Sequence, residues 1–285
     1  MKTLFFSSLL NWFIDPAWVE SLTTTIHRHP DIRIQFIETN DIWCRDFFPI
    51  QVGRNKFVQF ALTKDYYSKK KKQLQTDPAP ICQMLGIKTI TPSFNGLPIY
   101  LDGGNVIRKF NKVIITDKIF KDNKIPPVKL VEILNDFLEV DKVILIPKEP
   151  GEDSGHSDGM VRFINQNTVL INDYSGVDTN HRFVNKLHRT LKESGLTVIE
   201  VPYKPQEGRI NGLQPSTGIY VNYLQIDNMI FLPTFDDPVT DDHAIAVFES
   251  IFGSGNIIPV PSKELSLMGG VLNCCSWEID TDSCA

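Results

Sequence analysis

Apolar and polar positions along this chain repeat in a recurring unit. Four stretches, FFPIQVGRNKFVQFAL (47–62), NVIRKFNKVIITD (105–117), GMVRFINQNTVLIND (159–173) and IYVNYLQIDNMIFLPT (219–234), each set two short β-branched or aromatic runs around a polar turn. That is the pattern of a hairpin. Helix-like segments and one more apolar run close the units, over 18–38, 80–92, 128–147, 184–202 and 244–261. Within 128–138, Val128, Val131, Leu134, Phe137 and Leu138 recur at three- and four-residue steps and predict one buried helix face; Val184, Leu187 and Leu191 do the same in 184–191. Most of the closing runs meet a proline, which ends a ladder by removing a donor. A fifth stretch, GGVLNCCSWEI (269–279), has room for one strand only, and the first unit lacks a leading strand. Pairing of KTLFFSS (2–8) with 271–279 fills both gaps. The repeat predicts an α/β chain of five ββαβ units in a closed ring, as one domain over residues 1–285.

Composition narrows this without changing it. An apolar share of 42% and a charged share of 22% are those of a folded globular chain, and a net charge of −5 argues against a nucleic-acid partner. No apolar run approaches the ~20 residues of a membrane helix. KTLFFSSLLNWFI begins like a signal peptide, but Asn11, Trp12 and the lack of a small-residue cleavage site favour its use as a strand. Five cysteines, with Cys274 and Cys275 adjacent, form no paired framework, so reduced thiols and a cytoplasmic setting are expected. The lysine run 69–72 lies in a polar stretch, 63–78, read as a solvated loop or a lid.

The chemistry sits at the heads of the repeats. Just before or inside each first strand come Asp46, Asp102, the pair His156/Asp158, Asn222 and, in the last copy, Cys274. Arg45 and Asp46 alone would make an ordinary ion pair, and LDGGN (101–105) alone an ordinary turn. GEDSGHSDG (151–159) is too polar for a core strand, yet it opens one; on a strand its His156 and Asp158 would face the same way. Zinc would want further ligands at characteristic spacing, so the pair reads as an acid/base histidine beside a carboxylate, awaiting a nucleophile. Cys274 is either that nucleophile or a buried inert thiol.

WCRDFFP, LDGGN, GHSDGMVRF, YVNYL and GGVLNC, in this order, resemble the agmatine deiminase and bacterial peptidylarginine deiminase family of guanidino-group-modifying enzymes. The resemblance runs from about residue 3 to residue 279 and implies the pentein fold, a five-bladed pseudo-symmetric α/β-propeller. It implies Cys274 as nucleophile, His156 and Asp158 as the histidine and acid of the GHxD motif, and Asp102 as a further catalytic acid. Asp46, Asn222 and Arg45 would serve the substrate, with Trp43 along its stem. The implied partner is a small cationic guanidino compound or an arginine side chain, with no cofactor, no metal, no membrane and no nucleic acid, and a homodimer is compatible with it. A guanidinium is a planar cationic fork that carboxylates grip bidentately, so this residue set suits it. Asn273 and Trp277 depart from the I-H-C-I-T-Q string of agmatine deiminases and leave the substrate's tail open. The alternatives to hydrolysis are amidino transfer to an amine and a non-catalytic binding ring of the same fold.

Overall fold

The computed structural model describes residues 2–29, 31–62, 75–178, 180–210 and 212–280. Residues 63–74, most of the expected lid with its lysine run, lie outside them. The chain divides into two compact units: residues 1–104, 119–143 and 274–285 in the first, residues 105–118 and 144–273 in the second.

The first unit holds the two ends of the chain in one sheet. Strand Ser276–Asp280 runs antiparallel to Lys2–Ser7, from Lys2 opposite Asp280 to Phe6 opposite Ser276. Ile32–Ile37 is added in parallel on the other edge. The expected pairing of the termini is therefore present, but the last strand begins at Ser276 rather than 271. Residues 272–275 form a turn ahead of it. Between the parallel strands runs helix Pro16–Ile26. Asp15 caps it by accepting from the Ala17 N–H at 2.9 Å, Pro16 opens it, and Val19, Leu22 and Ile26 are buried. A second sheet joins the hairpin Ile50–Gly53/Lys56–Val58 to the short parallel strand Thr89–Ile90. Trp277 stacks on Phe48 at 4.3 Å, lies 4.8 Å from Phe5 and donates from Nε1 to the Pro49 carbonyl at 3.0 Å. One aromatic cluster thus ties the head of the hairpin to the last strand. Helix Pro127–Leu138 appears where the periodicity predicts it, but its buried residues are Leu130, Ile133, Leu134 and Leu138. Val128 is 75% exposed because it lies in the first turn, beyond the packed stripe.

The second unit repeats the plan. The hairpin Ile107–Lys109/Lys112–Thr116 takes Lys142–Ile146 as third strand. Val161–Asn165/Thr168–Asn172 takes Thr197–Val201, and Leu224–Ile226/Met229–Thr234 takes Ile257–Pro261, both in parallel. A parallel third strand needs a crossover, and helices His181–Glu193 and Pro238–Phe252 supply two of them. The first buries Phe183, Leu187 and Leu191, with Val184 packed against the same core. The hairpins of the repeats follow short turns or one-turn helices, and in or beside these lie the polar residues singled out above.

Candidate active site

In the first unit, three of the motifs meet. Asp46 lies in the one-turn helix Cys44–Phe47, preceded by Trp43; both Asp46 and Trp43 are partly buried, and the Asp46 N–H returns to the Trp43 carbonyl at 3.1 Å. The backbone N–H of Arg45 donates to the carbonyl of Cys274 at 3.0 Å. Asp102, 2% exposed, is followed by Gly103, whose backbone presses on this helix. A Cβ on Gly103 would fall well inside contact distance of the Arg45 carbonyl oxygen, and 3.1 Å from its carbon. Glycine is therefore required there by close approach alone. The RD motif, the DGG motif and Cys274, far apart in sequence, are assembled around one stretch of backbone.

The cysteines differ sharply in environment. Cys275 is fully buried and burial pushes its thiol up to about 12; Cys44, also fully buried, is raised well above the ordinary thiol value by the same desolvation. A thiol so raised is inert at neutral pH. Cys274 alone among the described cysteines is not buried. It sits in the turn before Ser276–Asp280, not on a strand. The alternation of strand faces therefore does not separate Cys274 from Cys275; burial does.

In the second unit, His156 and Asp158 also precede their strand instead of lying on it. Both are in the glycine-flanked turn that ends at Val161, where the N–H groups of Met160 and Val161 bond to the Ser157 carbonyl at 3.0 Å each. The expected same-face geometry does not apply, because a turn has no period of two. The turn is built from inside: Glu152 accepts from the Ser154 N–H at 2.8 Å, from its hydroxyl at 2.7 Å, and from the Gly155 N–H. Gly155 has φ +70°, the left-handed region, and Thr116 donates to its carbonyl at 2.6 Å. His156 is 8% exposed and Asp158 2%. Asn222 lies in the turn before Leu224 and donates from Nδ2 to the Asp158 carbonyl at 3.2 Å. Nearby in sequence, the Glu149 carboxyl accepts from the hydroxyls of Tyr174 and Tyr203 at 2.9 Å each. Burial pushes it up to about 7, against the pull of the two hydroxyls.

Sequence reasoning missed the residues that hold Asp158. Asn273 donates from Nδ2 to Asp158 Oδ2 at 2.8 Å and accepts at Oδ1 from Arg162 at 2.6 Å. Its backbone N–H donates to the Asn222 carbonyl at 3.2 Å. Both residues were in view, Arg162 inside GHSDGMVRF and Asn273 just before Cys274, but no local signal joins positions 111 apart. Among the described residues no cluster of three or more His, Cys, Asp or Glu could hold a metal ion, and no helix is long and apolar enough to cross a membrane.

Comparison with solved structures shows a mixed α/β fold shared with pentein-fold proteins. A C. jejuni agmatine deiminase with substrate bound superposes with a TM-score of 0.75 at 16% identity, over 97% of this chain and 92% of that one. The putative arginine deiminase from Porphyromonas gingivalis gives 0.73 at 18%, over 97% and 95%. A putative agmatine deiminase from Vibrio parahaemolyticus is 24% identical over 288 residues, covering 88% of this chain and 79% of that protein. The family model of Porphyromonas-type peptidyl-arginine deiminases matches residues 12–279, and the chain belongs to that family.

Proposed function

We propose that this chain is a guanidine iminohydrolase, converting a guanidino group to a ureido group and ammonia through a covalent thiol adduct. Cys274 is the nucleophile. Its sulfur bonds to the guanidinium carbon, one C–N bond breaks, and His156 protonates the departing nitrogen, which leaves as ammonia. Water, deprotonated by His156, then attacks the same carbon; the C–S bond breaks and the thiolate returns. Asp46 and Asp158 grip the guanidinium nitrogens, since resonance makes the carbon a poor electrophile unless the fork is held and desolvated. Asp102 orients the reacting groups, and Asn222, Arg45 and Trp43 line the substrate. No cofactor takes part. On this reading the ββαβ repeats are the blades of one pentein domain over residues 1–285, working in the cytoplasm on a small guanidino compound or an arginine side chain.

The observation that carries this reading is the seat of Cys274. Among the described cysteines it is the one not buried, beside a buried, proton-bound neighbour, and its carbonyl is bonded to the backbone of the RD motif. Relatives named agmatine deiminase and membership of a peptidyl-arginine deiminase family support the same chemistry. The test is ammonia release from agmatine, free arginine, arginine peptides and methylated arginines, each with and without an added amine. Stoichiometric ureido product and ammonia without amine is the expected result. Turnover only with amine would mean amidino transfer, and no turnover on any compound would overturn the reading.

A further inference from the structure

We infer that Asn273 is a positioning residue for Asp158, and that Arg162 fixes which way the Asn273 amide points. The inference deepens the proposed function and rests on it, because it takes Asp158 as a carboxylate that grips the substrate guanidinium.

The need for such a device follows from the side chain itself. The terminal torsion of an aspartate is broad, so its carboxylate plane is poorly fixed by packing alone. A planar fork, however, is gripped well only by a carboxylate whose plane matches it. The bond from Asn273 Nδ2 to Asp158 Oδ2, at 2.8 Å, removes that freedom, and both residues are nearly inaccessible to water, at 4% and 2%. An asparagine amide can also be turned over, which would set its oxygen against the carboxylate. Arg162 forbids this. A guanidinium only donates, so the atom facing Arg162 Nη1 at 2.6 Å is the amide oxygen, and the NH2 group is left to face Asp158. Flipping the amide would create two repulsive contacts at once.

Arg162 is itself held. It lies on strand Val161–Asn165 opposite Leu170, and its guanidinium carbon sits 4.7 Å from the centre of the Tyr223 ring. Tyr223 is fully buried and packs edge-on against Phe248, with ring centres 5.5 Å apart. Two further bonds, from the Asn273 N–H to the Asn222 carbonyl and from the Asn222 side-chain Nδ2 to the Asp158 carbonyl, link the three residues. The line from Tyr223 through Arg162 and Asn273 to Asp158 thus runs from the core of this unit to a residue of the proposed site.

The bridging residue must accept from Arg162 and donate to Asp158. Asparagine and a neutral imidazole do both, aspartate only accepts, and leucine does neither. Asn273→Leu and Asn273→Asp are therefore expected to lower kcat/KM by about 100-fold per folded molecule, with KM raised as well as kcat lowered. Asn273→His is expected to recover activity to within about tenfold of the parent. A purely structural asparagine would instead lower the melting temperature and leave kcat and KM of the folded fraction unchanged, and that result overturns the inference. So does a His variant as weak as the Leu variant.

A readout without turnover separates the two claims. The Asn273 side-chain amide protons, followed by NMR hydrogen exchange, are expected to be protected in the parent and to lose protection in Arg162→Met and in Asp158→Ala. Unchanged exchange overturns the relay. If the parent releases no ammonia from any guanidino compound, the functional reading falls, and the exchange experiment still decides whether Arg162 and Asn273 hold Asp158.

Discussion

Substituting alanine for Gly103 tests whether the DGG and RD motifs act as one construction. Gly103 is not among the glycines with positive φ, so alanine suits its backbone and the perturbation is purely steric. The added Cβ would lie closer to the Arg45 carbonyl oxygen than the 3.0 Å that real Cβ atoms respect, 3.1 Å from the carbonyl carbon and 3.6 Å from the Asp46 carbonyl oxygen. The neighbours are backbone, not a flexible side-chain end, so one segment must withdraw by roughly 1 Å. Overpacking of this kind costs typically ~1–3 kcal/mol. The backbone N–H of the same residue, one peptide group earlier, donates to the Cys274 carbonyl at 3.0 Å, and a displacement of that size carried to it breaks the bond. A misplacement of about 1 Å in a reacting group costs about 100-fold in rate. Urea melts and ammonia-release kinetics on the same preparations are expected to show both losses in Gly103→Ala. Gly176→Ala, whose Cβ would meet nothing within 4 Å, is the control and should show neither. A Gly103→Ala protein with lowered stability but full kcat/KM would refute the coupling to Cys274. One with neither defect would refute the close approach.

The remaining expectations concern the thiols, the buried acid and the terminal strand. Cys274→Ser should abolish ammonia release while Cys275→Ser keeps most of it, because the Cys275 thiol is buried and stays protonated near neutrality; the reverse result would misassign the nucleophile. Glu149 binds its proton more tightly folded, at about 7, than at its ordinary value of 4.5, so its contribution to stability is fully present below about pH 4.5 and lost as pH rises through about 7. That loss amounts to about 3 kcal/mol, and Glu149→Gln should remove this slope from urea midpoints measured across the interval. A chain ended at Cys275 loses the partner strand of Lys2–Ser7 and the Trp277 anchor, worth ~3–5 kcal/mol, and should show no cooperative melt. A cooperative transition in that chain would show that the pairing of the termini is dispensable.

What the sequence by itself determined is local and repetitive. Alternation over a few residues, a polar turn and a three-to-four step are enough to announce Ile107–Lys109/Lys112–Thr116 or His181–Glu193, because those patterns come from how neighbouring side chains project. The same repetition exposed the polar positions at the head of each copy, and the two missing strands foretold that the first and last strands pair, though not that the last begins at Ser276. Tertiary structure decided the rest. Whether Val128 or Leu130 faces the core depends on where the neighbouring sheet lies. Whether Cys274 or Cys275 keeps access to solvent depends on which side the turn packs, and burial then sets the thiol's proton affinity. The requirement for glycine at 103 comes from a backbone more than fifty residues away, and the orientation of Asp158 from Asn273 and Arg162. Periodicity reports only forces between neighbours in the chain. Close approach, burial and a bridging amide are set by residues that meet only when the chain has folded.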